Sequence, residues 1–140
     1  MMRHGERGST MTETVIAIGA VLALTLGIID FARGMYTYGL TAQLARQGAR
    51  WAIVRGSGCT LLDHCNAQSS DVQTYVKSLT GVMPASNGKT VTATAAWPNS
   101  CNSAGCPVQV TVTVPFSFVT GVLPGATFNM SSTSQMVISE

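Results

Sequence analysis

Residues 15–29 read VIAIGAVLALTLGII, fifteen positions without a charge. As a helix they cover about 22 Å, short of the roughly 30 Å hydrocarbon core of a bilayer. Counting from Ser9 lengthens the run to about 31 Å, enough to cross. The chain has only 140 residues, so little else is available to bury such a helix on all sides. A cleavable secretory signal needs small residues just after the apolar run; Ile29-Asp30-Phe31-Ala32-Arg33 stand there instead. A membrane helix over residues 9–31 is therefore expected. Its one early charge, Glu13, has two readings: a carboxylate snorkelling at the membrane edge, or an intramembrane carboxylate with a functional partner.

The composition agrees with a chain that meets two solvents. Charged residues are 10% of the sequence and the mean hydropathy is +0.28, against about 25% charge in an average soluble domain. A disordered polyelectrolyte and an ordinary cytosolic enzyme are both excluded. The net charge of +2 is too small for an electrostatic nucleic-acid binder. Six arginines face three acids in residues 1–56, whereas residues 57–140 hold two lysines and three acids. All four cysteines lie in the second part.

Orientation rests on those cysteines. Arg3 and Arg7 before the span favour a cytoplasmic N-terminus, and Arg33, Arg46, Arg50 and Arg55 after it argue the reverse. Four cysteines in a short domain read as two disulfides, which persist outside the cytoplasm. The C-terminal part is then expected outside, as a single-pass protein. Tyr36 and Tyr38 fall where an interfacial aromatic belt would sit.

The helix is expected to continue through residues 32–56. No proline interrupts FARGMYTYGLTAQLARQGARWAIV (31–54), and Leu40, Leu44, Gln47 or Gly48, Trp51 and Val54 recur at three- and four-residue steps. Gln43, Arg46 and Arg50 take another face, and Gly56-Ser57-Gly58 is the stop. One helix of roughly 70 Å results. Gly34, Ala45, Gly48, Ala49 and Ala52 permit close backbone approach. Packing on the head and packing on sister helices fit that pattern equally.

Residues 57–140 form the head. Ser69-Ser70-Asp71 is expected to cap a short helix, DVQTYVKSLTGV, with Val72, Tyr75, Val76 and Leu79 on one face and Gly81 and Pro84 ending it. Alternation predicts strands over 90–97, 108–114 and 128–138, the last after the Gly/Pro loop VTGVLPGAT. The fold class is α+β: a long N-terminal helix on a small antiparallel sheet of about three strands with a short helix. Four cysteines allow three connectivities. Local pairing, Cys59 with Cys65 and Cys101 with Cys106, is expected because each pair sits in a turn-rich segment. A zinc site using His64 is the rival, but C-x-x-C spacing is missing.

No catalytic constellation is legible. Asp63-His64 are neighbours near Ser57, Ser69 and Ser70, yet there is no phosphate loop, nucleophile motif or metal spacing. Neither an enzymatic activity, a cofactor nor a metal is expected. The serines and threonines of the strands read as solvent-facing β-formers.

The N-terminal features together resemble the type IV pilin superfamily, most closely the TadE-like minor pilins or pseudopilins of tight-adherence (Tad) pilus systems. A basic leader, MMRHGERG, ends in Gly8; Glu13 stands five residues on; the apolar helix follows at once. Gly27-Ile28-Ile29-Asp30-Phe31-Ala32-Arg33 and Ala45-Arg46-Gln47-Gly48-Ala49-Arg50 match the family's G-x-x-D-F-x-R and A-x-x-G-A-R segments. Close likeness covers about residues 7–54. One departure is Thr14, where the family often has Phe. The resemblance implies that residues 1–8 are a leader cut by a prepilin peptidase between Gly8 and Ser9. It further implies that Glu13 pairs with the new Ser9 amine of a neighbouring subunit during assembly. The implied partners are that peptidase, other pilins or pseudopilins, the pilus assembly platform and the bacterial inner membrane, with the head periplasmic or extracellular and the chain placed in the membrane or in the fibre. The alternative function is a permanently anchored envelope protein whose exported head binds a partner or ligand.

Overall fold

The computed structural model describes residues 6–80, 91–118 and 127–139, with side chains from Thr10 onward. Helix α1 runs Glu6–Ile53, 48 residues without a break, or about 72 Å. Nothing in its sequence removes an N–H or forces a kink. Helix α2 is Ser69–Leu79. Three strands follow: β1 Thr92–Ala96, β2 Pro107–Ser117 and β3 Thr127–Val137. A short 3-10 turn, Pro98–Ser100, stands between β1 and β2. The sheet is antiparallel in the order β1-β2-β3.

Strand β2 is central because its alternation is the most complete. Val108, Val110, Val112, Val114 and Phe116 all point inward and are buried. Each such side chain contributes about 1.5–3 kcal/mol relative to exposure. On β3 the opposite positions are Met136, Ser134, Ser132, Met130 and Phe128. The outward face carries hydroxyls in cross-strand rows, with Thr111 and Thr133 Oγ1 atoms 2.9 Å apart. This is the solvent-facing role read from the sequence.

The inner face packs against the C-terminal half of α1, which covers β2 and β3, while α2 lies against β1 and α1. Here one expectation is corrected. The buried stripe of α1 is Thr37, Thr41, Leu44, Ala45, Ala49 and Ala52, with Gly48 among them. Leu40, Trp51 and Val54 lie at its margin, half-buried. The large side chains marked the helix's amphipathicity, but the small ones mark its contact, because they let the backbone come down onto the valines. A methyl built on Gly48 would lie 3.0 Å from Val76 Cγ2 and 3.1 Å from Val110 Cγ1. The small residues of this half therefore serve the head. The buried hydroxyls are satisfied within the helix: Thr37 Oγ1 donates to the Arg33 carbonyl at 2.8 Å and Thr41 Oγ1 to that of Thr37 at 2.7 Å.

The start of α2 is also corrected. Ser69 does not cap it. The N-cap is Gln68, whose N–H donates to the Asp71 carboxylate at 2.9 Å. The Ser69 hydroxyl instead accepts the N–H of Ala95 on edge strand β1, at 2.9 Å. Among the described residues no strand lies on the open side of that edge donor, and partly buried backbone donors require a partner. The expected stops Gly81 and Pro84, the start of the first predicted strand at Thr90, and the Gly/Pro loop at 119–126 lie outside the described residues.

Two disulfides close the turns, Cys59–Cys65 and Cys101–Cys106. The loops also hold each other: Ser57 N–H donates to the Asn102 carbonyl at 2.6 Å, and Asn102 Nδ2 to Asn66 Oδ1 at 2.9 Å. The end of β3 is tied in by Ile138 N–H to the Cys106 carbonyl at 2.8 Å, and Ser139 N–H to that of Ile53 at 3.0 Å. The sheet, the second loop and the end of α1 thus meet at one point.

Candidate functional site

Among the described residues nothing covers the N-terminal half of α1. Met11, Val15, Ile16, Val21, Leu22, Leu24 and Ile28 all stand exposed. A helix that is apolar all round needs burial in a large core or in lipid. Only 6% of its most apolar window, of mean hydropathy 2.4, is buried inside the chain. Among the described residues this is the one helix long and apolar enough to cross a membrane. A core helix would show the reverse burial.

Gly8 and Ser9 lie in the first turns of α1. Residues 1–5 of the expected leader, 1–8, lie outside the described residues. Glu13 is on the exposed surface of the helix, a turn and a half beyond Gly8. Thr14, at the departure from the family pattern, donates its hydroxyl to the Thr10 carbonyl at 2.8 Å, so its polar atom is satisfied within the helix.

At the other end of the apolar run the structure brings together residues that the sequence reading quoted but gave no role. Asp30 is 3% exposed. Arg33 Nη1 approaches its Oδ1 at 3.3 Å, from the next turn of the same helix. The Arg33 guanidinium also lies 5.8 Å from the centroid of the Phe116 ring. Burying a carboxylate without a partner is costly, so the i,i+3 arginine is what makes this position tolerable. Phe116, Phe118 and Phe128 cluster beside them, with ring centroids 5.2–5.8 Å apart. The D-F-A-R spacing was legible; that the far end of the sheet lies against it was not.

The polar residues of the first cysteine loop form no catalytic group. His64 is exposed, and its Nδ1 lies 3.8 Å from Oδ1 of Asp71, not of its neighbour Asp63. The Ser57 hydroxyl faces that of Ser103 at 3.3 Å, and Ser69 is engaged with Ala95. Trp51 stacks on Tyr75 with centroids 5.2 Å apart, and Arg55 lies 4.1 Å over the Trp51 ring. Arg55 Nε also donates to the Asp63 carbonyl at 2.9 Å. This aromatic and cationic stack fixes the cysteine loop to the end of α1 and to α2. The four sulfur atoms are bonded in pairs, and among the described residues no group of His, Cys, Asp and Glu has the arrangement to hold a metal.

A bare apolar half-helix joined to a packed α+β head defines the class, a single-pass membrane protein. Within this helix, residues 8–50 match the model of the TadE-like proteins, which bears out the resemblance read from Gly8, Glu13 and the two arginine-bearing segments. The match covers just under a third of the chain and relates it to proteins of Tad pili, a family generally structural rather than enzymatic. No curated protein and no solved structure matches the chain.

Proposed function

We propose that this chain is a non-enzymatic minor pilin or pseudopilin that takes part in assembling a Tad-type pilus. The observation that carries the reading is the coincidence of the family match, residues 8–50, with one unbroken helix whose first half is bare and apolar and whose second half holds the head. A prepilin peptidase at the cytoplasmic face of the inner membrane cuts between Gly8 and Ser9. Removing the leader also removes Arg3 and Arg7, which lowers the cost of drawing the helix out of the membrane. The new Ser9 amine is positive. Glu13 meets the Ser9 amine of a neighbouring subunit inside a bundle of apolar helices. An unpaired charge in that environment is costly, so the pair selects one axial register. The head remains on the outer side, where its disulfides are stable.

The test is Glu13→Gln expressed in a deletion strain. Losing one partner of a buried pair costs about 3–5 kcal/mol, more than two decades in an association constant. Sheared surface pili and co-purification with other pilins should fall sharply. Insertion should survive, since residues 15–29 are untouched, and leader removal, checked by mass, should largely survive with Gly8 intact. A cleaved, inserted and normally abundant variant that assembles like the wild type would reject charge pairing and favour a permanently anchored envelope protein whose head binds a partner or ligand.

A further inference from the structure

The sheet's far end and the exit of α1 from the apolar run lie at one level. Ser9 to Ile29 as helix covers about 31 Å, the thickness of the hydrocarbon core, so Asp30 stands at its outer boundary. Beside Asp30 the structure places the end of the β2–β3 hairpin, not the disulfide-bearing end. A methyl on Gly34 would lie 3.6 Å from Met130 Cε and 3.8 Å from Phe116 Cζ. Between helix and hairpin runs an open apolar groove of about 510 Å³ whose lining includes Phe31, Met35, Tyr38, Phe118, Phe128 and Met130. Phe31 is 69% exposed and Phe128 45%. The groove lining has one charged side chain, Asp30, and Arg33 is directed onto it.

From this we infer that the head docks on the bilayer: the aromatic end of the β2–β3 hairpin sits in the outer membrane interface beside the helix exit. The occupant of the groove is lipid, taken at the boundary between headgroup and acyl chain. Three observations select lipid over protein. The exposed apolar surface of α1 continues without interruption from Val15 to Phe31 and into the groove, so whatever solvates the span reaches the hairpin. Tyr36 and Tyr38 are exposed next to Phe31 and Phe128, and tyrosine is enriched at that depth of a membrane. Strands β2 and β3 carry no charged residue, and neither does the sequence VTGVLPGA that joins Phe118 to Thr127. No ionised group therefore has to be dehydrated when this end of the hairpin enters the interface. Docking also explains the buried Asp30–Arg33 pair: a carboxylate at this depth without a counter-charge would pull the helix outward. In consequence the head is fixed in height and tilt on the membrane before any subunit contact forms.

The inference rests on the membrane-spanning reading of α1, and the test separates the two. Full-length protein carrying Trp51→Phe and Trp97→Phe is reconstituted in phosphatidylcholine–phosphatidylglycerol vesicles, with single reporters Phe128→Trp, Phe118→Trp, Gln135→Trp and Leu22→Trp. Circular dichroism and non-reducing mapping confirm the fold of each. Lipids brominated near the top of the acyl chain should quench the reporters at 128 and 118 severalfold and leave the one at 135 bright, while aqueous iodide should do the opposite. Iodide quenching at 128 and 118 equal to that at 135 overturns the docking. Shielding of both from iodide and bromine alike also overturns it, in favour of a protein surface. A reporter at 22 that bromolipid does not quench overturns the span itself.

Discussion

Gly48 shows how one atom sets the approach of helix and sheet. A methyl there would press on Val76 and Val110 at 3.0 and 3.1 Å, tighter than relaxed carbon contacts of about 3.5–4.0 Å. Gly48→Val should destabilise the head by about 1–3 kcal/mol through overpacking. Gly39 has nothing within 4 Å of its built methyl, so Gly39→Ala should stabilise by up to about 1 kcal/mol through helix propensity alone. Thermal unfolding of the full chain in detergent, followed by circular dichroism, should move in opposite directions for the two variants. Equal shifts would mean that α1 does not rest on the valines. Sequence reading sets Gly48, and not Gly39, among the residues open to close approach; which surface comes down on Gly48 is decided only by the fold.

Among the elements, the second cysteine loop is the clearest case of local covalent chemistry acting on distant structure. Both disulfide loops are short, so the entropic gain of each is at most about 2–3 kcal/mol. The Cys101–Cys106 loop nevertheless receives the last turn of the sheet: Gly105 N–H donates to the Ile138 carbonyl at 2.9 Å and Ile138 N–H to that of Cys106 at 2.8 Å. Gly105 holds φ at 88°, a conformation that favours glycine. Replacing Cys101 and Cys106 together by Ser should cost about 2–3 kcal/mol and speed amide exchange at Ile138 ahead of the valines of β2. Uniform loss of protection would show instead that the loop supports the sheet as a whole. The strands themselves were legible. Alternation over Val108–Val114 exposed both their existence and their inner face, because a strand with one wet side must alternate. Their ends moved: β2 extends to Ser117 and thereby brings Phe116 inward. Propensity does not mark that extension, since Pro115 interrupts the pattern while its partner Asn129 keeps the register.

For the whole molecule, the reading as a processed pilin predicts that the mature chain begins at Ser9. N-terminal sequencing and intact mass of protein from the native host decide it. A chain still beginning at Met1 or Met2 with the peptidase present would leave the single-pass membrane protein intact and remove the assembly mechanism. The same experiment bears on orientation, because the leader is accessible to that peptidase only from the cytoplasmic side.

The sequence by itself determined what depends on neighbours along the chain. Uncharged length from Val15 to Ile29 specified a span, proline-free continuity specified one helix, period-two valines specified the sheet, and Gly8 with Glu13 pointed to TadE-like proteins. These are properties of a segment in a solvent, water or lipid, and do not need the rest of the molecule. Tertiary structure alone decided which side of α1 meets the head, that Ser69 serves β1 and not its own helix, and that Phe116 and Phe128 close on Asp30 and Arg33. Each is a contact between residues far apart in the chain. Each depends on sheet register and on how closely two backbones approach, which are fixed only when small side chains, hydroxyls and rings are packed at the same time.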